Sequence, residues 1–490
     1  MNFNLSAPLA AEIATFALAV LVLAVGLITR GNAHKTISWI TFAGLVGVMG
    51  LTFIAKPGAA AFSQSFVQDS LALFAKRLFI AASLVSILGS MTFDSHTFAR
   101  RSAEYHFAML ASLVGMMMLA SARDLVLIFV SFELMSIPLY VLTGFLKRDA
   151  ATSEAALKFF LVGAVSSAII AYGMSFLYGV TGSTGLDAVA PALADKQPLM
   201  LLGMTILLAG LSFKIAAFPF HMWAPDAYEA GSTPFVAWLA VAPKAAGFIT
   251  IIRLYVEGAG QSALVWVPMV AAVAGMTIVT GNLMAIPQQN IKRMLAYSGI
   301  AHIGYMLVGL AAFSSSGIAM MLFYLMAYLF GNMGAFLVVE VVARSESSEG
   351  IDAYKGLAQR SPLLALSMLI FLLSLGGIPF VAGFWAKLYV FWAAIERGLY
   401  GLVFLGAVLT VVALYYYLLV ARRMYIEAAP RPEPIKVPAL LGVAIFVCLL
   451  GVIGIGVYPG PWVDMAMRVA ATLLDRKSTR LNSSHVSESR

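Results

Sequence analysis

The stretch Gly210-Leu-Ser-Phe-Lys-Ile-Ala-Ala-Phe-Pro-Phe-His-Met-Trp-Ala-Pro225 decides how the chain is read. It closes an apolar run that begins at Leu199, and it holds both an amine, Lys214, and a helix breaker, Pro219. A proline inside a helix frees the carbonyl four residues earlier, here that of Ile215, and an unpaired amine in hydrocarbon is costly. Lys214 therefore has to face protein or water. The same arrangement returns at Leu373-Ser-Leu-Gly-Gly-Ile-Pro-Phe380, with Pro379 in the break and Lys387 just beyond it. The two stretches predict two interrupted membrane helices, each with a buried lysine.

The composition around them agrees. Of 490 residues 61% are hydrophobic and 11% charged, against roughly 25% charged in an average soluble domain. With about 20 apolar residues per crossing, the chain reads as an all-α membrane protein of about 14 transmembrane helices. They fall near 9–28, 37–54, 71–93, 105–121, 124–146, 154–180, 199–218, 234–256, 264–286, 294–313, 316–342, 363–395, 399–421 and 437–458. The net charge of +8 belongs to the loops and not to a nucleic-acid partner. Alternate loops carry Arg30, Lys35, Arg100, Arg101, Lys147, Arg148, Lys292, Arg293, Arg344, Lys355, Arg360, Arg422, Arg423, Arg431 and Lys436. The opposite loops have Lys56, Arg123, Lys196, Arg253 and Arg397. A bias of about two to one, even with Lys76 and Arg77 added to the poorer set, puts both termini on the non-cytoplasmic side. The uncharged start Met1-Asn-Phe-Asn-Leu5 is unlike a cleavable leader, so the first helix is expected to stay. The lone Cys448 allows no disulfide within the chain.

Offsets expose a repeat. Pro219 matches Pro379 at 160 residues, Pro138-Leu-Tyr140 matches Gly304-Tyr-Met306 at 166, and Phe159, Gly163 and Ser167 fall on Tyr324, Tyr328 and Asn332 at 165. Two five-helix units follow, at 105–256 and 264–421. Five is odd, so the second unit enters from the opposite side and the repeat is inverted, as in many transporters with broken helices at the midplane. Residues 1–104 are read as three peripheral helices whose Glu12, Lys76 and Arg77 snorkel or pair structurally. Residues 422–475 are read as a linker and the last helix, and 476–490 as a disordered tail foreign to the rest of the chain.

The candidate site is a set of charges within apolar runs. Glu133, Lys214, Lys244 and Lys387 each cost about 2.5–3.5 kcal/mol by insertion scales if unpaired in lipid. A carboxylate beside an amine favours the charged form of both, whereas desolvation favours the neutral amine. A glutamate such as Glu133 that moves or changes protonation therefore switches Lys214 between holding and releasing a proton. Pro243 frees the Leu239 carbonyl beside Lys244 and makes room for water. Lys158, one turn into its helix, and His302, central in a hydrophobic run, are further relay candidates, and a histidine changes charge near neutral pH. His221 is read as interfacial packing or a cap, and Arg253 and Glu340 as interfacial. No metal-ligand spacing, phosphate-binding loop or soluble domain is present, so redox groups and nucleotide hydrolysis are not expected in this chain.

Three stretches resemble the antiporter-like membrane subunits of proton-pumping NADH:quinone oxidoreductase, respiratory complex I. They are Ser131-Phe-Glu-Leu-Met-Ser-Ile-Pro-Leu-Tyr140, Lys214-Ile-Ala-Ala-Phe-Pro-Phe-His-Met-Trp-Ala-Pro-Asp-Ala-Tyr-Glu229 and Leu295-Ala-Tyr-Ser-Gly-Ile-Ala-His-Ile-Gly-Tyr305. The resemblance covers roughly residues 1–475. It implies that Glu133 modulates Lys214, that Lys244 is the central lysine and that Lys387 leads to the outer half-channel. A lysine at 387 argues against the branch with glutamate there, and the lack of a long lateral helix argues against the longest branch. Ala230-Gly-Ser-Thr-Pro234 departs from the family's Gly-Ala-Pro-Thr-Pro without touching a charge. The implied function is proton translocation driven by quinone reduction elsewhere. NADH, FMN, iron–sulfur clusters and quinone are then expected in partner subunits, and the partners are other membrane subunits, an antiporter-like neighbour and small multi-helix ones, with lipid around them in a bacterial inner membrane. The residues leave one alternative open, a subunit of a multi-subunit sodium/proton antiporter.

Overall fold

A computed structural model describes residues 8–29, 34–93, 96–146, 150–189, 198–260, 263–431 and 433–487, with side chains described up to residue 473. The loop charges Arg30, Lys147, Arg148 and Lys196 lie outside the described residues. Thirteen helices among the described residues are long and apolar enough to cross a membrane. Another crossing is made by two shorter apolar helices, Pro362–Gly376 and Ala382–Ile395, on either side of the predicted break. The chain is a multi-pass all-α membrane protein, as its apolar runs predict.

Local chemistry sets the boundaries. Asp124 caps Leu125–Thr143 by accepting from the Val126 and Leu127 amides, and Asn290 caps Ile291–Ala311 through Lys292 and Arg293. Such caps satisfy backbone donors that have no partner within the helix. Pro198–Ile215 stops where Ala216 turns left-handed at φ +58, and the chain resumes as Trp223–Ala230. The next crossing is interrupted too. Thr233–Leu239 is followed by Ala242–Ile251, with Pro243 in its first turn where a missing N–H removes no helical bond, and then by the π-helix Ile252–Gly258.

Four crossings are buried along nearly their whole length: Ser70–Ser90, Thr233–Gly258, Ile291–Ala311 and Ser315–Glu346. Ala10–Thr29, His34–Ile54, Ala150–Thr181, Ala263–Ala285, Tyr400–Tyr425 and Ala439–Val457 form a shell with exposed apolar faces. The third helix is therefore not peripheral. Lys76 on it is fully buried and pairs with Glu12 at 2.6 Å while also donating to Gln68 at 3.3 Å. The expectation of structural pairing holds for Lys76, but deep in the bundle and not at its edge.

Two features have no counterpart in the sequence reading. Ala59–Ala61 and Phe66–Gln68 form a small antiparallel hairpin. A helix also runs Gly460–Ser487, into the stretch after 475, while 488–490 lie outside the described residues. Propagating a helix adds a hydrogen bond for each residue fixed, and 476–487 contains neither glycine nor proline to stop it.

Two junctions are built alike. Asp124 bridges Gly185, and Asn290 bridges Gly350. The Leu125 amide donates to the Thr184 carbonyl and the Ile291 amide to that of Glu349. Each bridge closes one end of a 32-residue helix, Ala150–Thr181 and Ser315–Glu346 respectively.

At the end of the bundle that holds the hairpin, Arg253 is fully buried. It donates to Asp69 at 2.6 and 2.7 Å, to Glu257 at 2.5 Å and to the Ala120 carbonyl at 2.8 Å. Arg123 completes the group, pairing with Glu257 at 2.8 Å. Burial pushes the Asp69 carboxyl up, but Arg253 outweighs it and holds the group well below the usual carboxylate range. Arg253 was expected at an interface; the carboxylates of Asp69 and Glu257 are what let it sit inside.

Candidate functional site

Lys214 ends the helix Pro198–Ile215 and is 7% exposed. Its Nζ donates to Ser136 Oγ at 2.8 Å and to Tyr140 OH at 3.3 Å, beneath the rings of Phe132, Tyr140 and Phe213. Glu133 shares a helix face with these acceptors, since residues three and seven apart lie on one side. Its carboxylate accepts from Ser167 Oγ at 2.5 Å. Among the described residues Glu133 and Lys214 form no direct ion pair. Ser136 and Tyr140 stand beside the amine, and Glu133 lies one turn away on the same helix, bonded to Ser167.

Lys244 is 2% exposed, and its Nζ has no hydrogen-bond partner. The Tyr228 ring stands 5.1 Å away. A narrow cavity lined by Ser136, Tyr140, Lys214, Trp223, Pro243 and Lys244 joins the two amines. Its volume of about 10 Å³ is near the lower limit for one water. On the other side of Lys244 lies Gly299, where a Cβ would stand 3.5 Å from Lys244 Nζ and 2.8 Å from Tyr328 OH. Absence of a side chain there lets the amine and the phenol share one space.

From Tyr328 the polar groups continue. The His302 ring is 5.2 Å from that of Tyr328, its Nδ1 lies 2.8 Å from Tyr324 OH and its Nε2 lies 3.4 Å from Tyr417 OH. Tyr417 bonds Ser298 and packs on Tyr416, which donates to Asn282 Oδ1 at 3.1 Å. Asn282 donates to Tyr305 OH at 3.3 Å, and Lys387 Nζ stands 4.9 Å from the Tyr305 ring.

Lys387 is held by the second break. Its Nζ donates to the carbonyls of Leu375 at 2.9 Å and Gly376 at 3.2 Å, the negative end of Pro362–Gly376. Gly377 makes the reach possible: its φ is +83, and a Cβ there would be 3.0 Å from Lys387 Cδ. Gly377→Ala meets both penalties and is expected to cost about 1–3 kcal/mol, read as a lower melting temperature of the purified assembly; an unchanged melting curve would contradict this geometry.

The structure therefore strings Lys214, Lys244, His302 and Lys387 along one polar line and leaves Lys158 off it. Lys158 is 53% exposed and pairs with Glu154 at 2.7 Å and Asp226 at 3.7 Å. Its helix, with 32 residues, is longer than a bilayer requires, and Lys158, only about two turns from its start, stays exposed. His221 is buried in the break, its ring packed on Phe218. Glu340 is likewise buried, paired with Arg344. Sequence reasoning missed Ser136, Tyr228, Asn282 and Tyr417. The repeat alignment marks Tyr140, Tyr305, Tyr324, Tyr328 and Asn332, but without a role.

Residues 122–413, the span that carries most of this line, match the family described as NADH:quinone oxidoreductase/Mrp antiporter, TM. The chain belongs to this NADH:quinone oxidoreductase/Mrp antiporter family. Within the family it is 40% identical over 476 residues to NADH-quinone oxidoreductase subunit N of Heliobacterium modesticaldum, covering 96% of this chain and 100% of that one. A chain of respiratory complex I from Thermus thermophilus superposes with a TM-score of 0.80 at 30% identity, covering 93% of this chain and 99% of the other. A chain of the Mrp complex from Dietzia sp. DQ12-45-1b shares the fold, with a TM-score of 0.82 at 19% identity over 95% of this chain and 98% of that one. The antiporter-like subunit implied by the sequence motifs is the family found, and its subunit N relatives match along nearly the full chain.

Proposed function

We propose that the chain is a proton-translocating membrane subunit of an NADH:quinone oxidoreductase, in which Lys214, Lys244, His302 and Lys387 pass protons laterally under the control of Glu133. The observation that carries this reading is Lys244, an amine buried without a hydrogen-bond partner midway along a row of buried polar side chains. A protein that needed only stability would not keep it, because an unsatisfied buried polar group costs about 1–3 kcal/mol. Lys244 has a cavity towards Lys214 and tyrosines towards His302, so a proton arriving at one amine raises the cost of charging the next.

Each half of the line belongs to one of two five-helix units, related by an inverted repeat and supported by the alike junctions at Asp124 and Asn290. Loop charge places the end with Arg293, Arg344 and Arg423 in the cytoplasm and both termini on the other side. Moving one charge against 100 mV costs about 2.3 kcal/mol, so the drive comes from partner subunits. Those subunits carry the NADH site, FMN, iron–sulfur clusters and quinone; the neighbours in the membrane are an antiporter-like subunit and small multi-helix ones. Lys158, with Glu154 and Asp226, serves at the cytoplasmic mouth and not in the line.

Lys214→Met tests the reading in membranes that hold the assembled complex. NADH-driven acidification of inside-out vesicles is expected to fall at least about tenfold, a barrier increase of about 1.4 kcal/mol or more. Parental pumping in assembled complex would overturn it. Purification of the chain with cation/proton antiporter subunits, and without flavin or iron–sulfur subunits, would instead favour a sodium/proton antiporter.

A further inference from the structure

A cleft of about 860 Å³ opens at the end of the bundle that carries Lys158, Asp226, Glu229, Glu340 and Arg344. Its deepest acidic group is Glu340, 3% exposed, on the long helix Ser315–Glu346. Residues four apart share a helix face, so Glu340, Phe336, Asn332 and Tyr328 form one stripe. It runs from the cleft to the space shared with Lys244. Asn332 is fully buried, and neither atom of its amide has a partner; the hydroxyls of Tyr228 and Tyr328 are buried and unpartnered as well. Two orphaned hydroxyls, of Tyr228 and Tyr328, thus stand near the unpartnered amine of Lys244, and the orphaned amide of Asn332 lies one turn from Tyr328 on the stripe. Buried polar groups of this kind are satisfied by ordered water in native proteins. Glu340 and Asn332 are about 12 Å apart along the helix, and Phe336 alone separates them on that face. The Phe336 ring packs edge-on against Tyr228 at 5.9 Å.

We propose that Phe336, closed against Tyr228, is an apolar gate between the cytoplasmic cleft and a hydrated pocket at Asn332, Tyr328 and Lys244. The gate gives Lys244 its own inlet from the cytoplasm, separate from the route through Glu133 and Lys214. A benzyl ring across a narrow passage excludes water, and a proton moves only where water or polar side chains are continuous. When the ring swings off Tyr228, water joins Glu340 to Asn332 and Lys244 gains a proton from the cleft. The proposal rests on the reading of Lys244 as a proton carrier, and Phe336 acts in it by positioning water and not by holding the proton.

The test measures water access and needs no turnover. Asn332→Cys is introduced into the assembled complex, where the native Cys448 is fully buried and contributes little background. A charged, membrane-impermeant methanethiosulfonate is added to inside-out vesicles without NADH, because a thiol reacts as its hydrated thiolate. With Phe336 in place, modification of Asn332→Cys is expected to be slow. With Phe336→Ala it is expected to be at least tenfold faster, and Phe336→Trp should restore protection. If Phe336→Ala lowers assembly, Phe336→Val serves in its place.

Equal rates with and without the ring in assembled complex would overturn the gate, as would rapid modification in the parent or modification only from the opposite face. Pumping by Lys214→Met reports on the relay separately. A failed relay with a ring-dependent rate, and a sound relay with ring-independent rates, are therefore distinguishable results.

Discussion

Lys244→Met is expected to abolish NADH-driven proton transport while leaving the assembled complex at least as stable as the parent. Methionine matches the length of the lysine stem and brings no charge, so it fills the space beneath Tyr228 without a buried amine. The amine makes no hydrogen bond, so its removal breaks none. Relieving one unsatisfied buried group is worth about 1–3 kcal/mol, which places the melting temperature of the variant complex at or above the parental one. Transport should fall by at least about tenfold, because the polar line has lost the amine that stands between Lys214 and His302. The combination matters: a structural lysine would lose stability when replaced, whereas a carrier loses transport and gains stability. Parental transport in vesicles with parental complex content would defeat this expectation.

Arg253→Met should have the opposite signature. It leaves Asp69 and Glu257 inside the bundle with only Arg123 between them, and removing one partner of a buried ion pair costs about 3–5 kcal/mol. Against a total stability of about 5–15 kcal/mol for a folded domain, that is enough to deplete assembled complex in the membrane several-fold. The depressed Asp69 pKa gives the sign of its contribution: it is fully present above the unfolded carboxylate value of about 3.9 and is lost only as the pH falls through the folded value. Asp69→Asn combined with Arg253→Met removes charge from both sides and should recover part of the loss. Parental complex content and melting in Arg253→Met alone would show that the network does not hold the bundle together.

Much of this could be read from the residues. Fourteen apolar runs, two prolines in mid-run and three lysines far from any loop stand out because hydrocarbon tolerates so few departures. Lys214, Lys244 and Lys387 needed no structure to be suspected. Depth was harder to read, because position within a run says little when the helix is longer than the membrane; Lys158 and Glu340 each sit near an end of a 32-residue helix, yet one is exposed and the other buried. Partners across long separations were not legible either. Asp69 meets Arg253 across 184 residues, and no local pattern announces it. The neutral members of the polar line escaped for a different reason: tyrosine, serine and asparagine are common in membrane helices, and only their convergence on an amine gives them meaning. The surroundings of Lys214 belong here, since sequence names Glu133 and Lys214 but not the serine and tyrosine standing beside the amine.

The helix Ser315–Glu346 has one more consequence. Its 32 residues make a rod about 48 Å long, well over the roughly 30 Å of hydrocarbon, and no proline interrupts it. Tyr328 and Glu340 ride on the same rod about 18 Å apart, so a tilt of about 5° pivoting near one displaces the other by about 1.6 Å. Such a shaft behaves as a lever. A tilt of that shaft shifts the cleft lining at Glu340 and the tyrosines beside His302 together, because one rigid helix carries both.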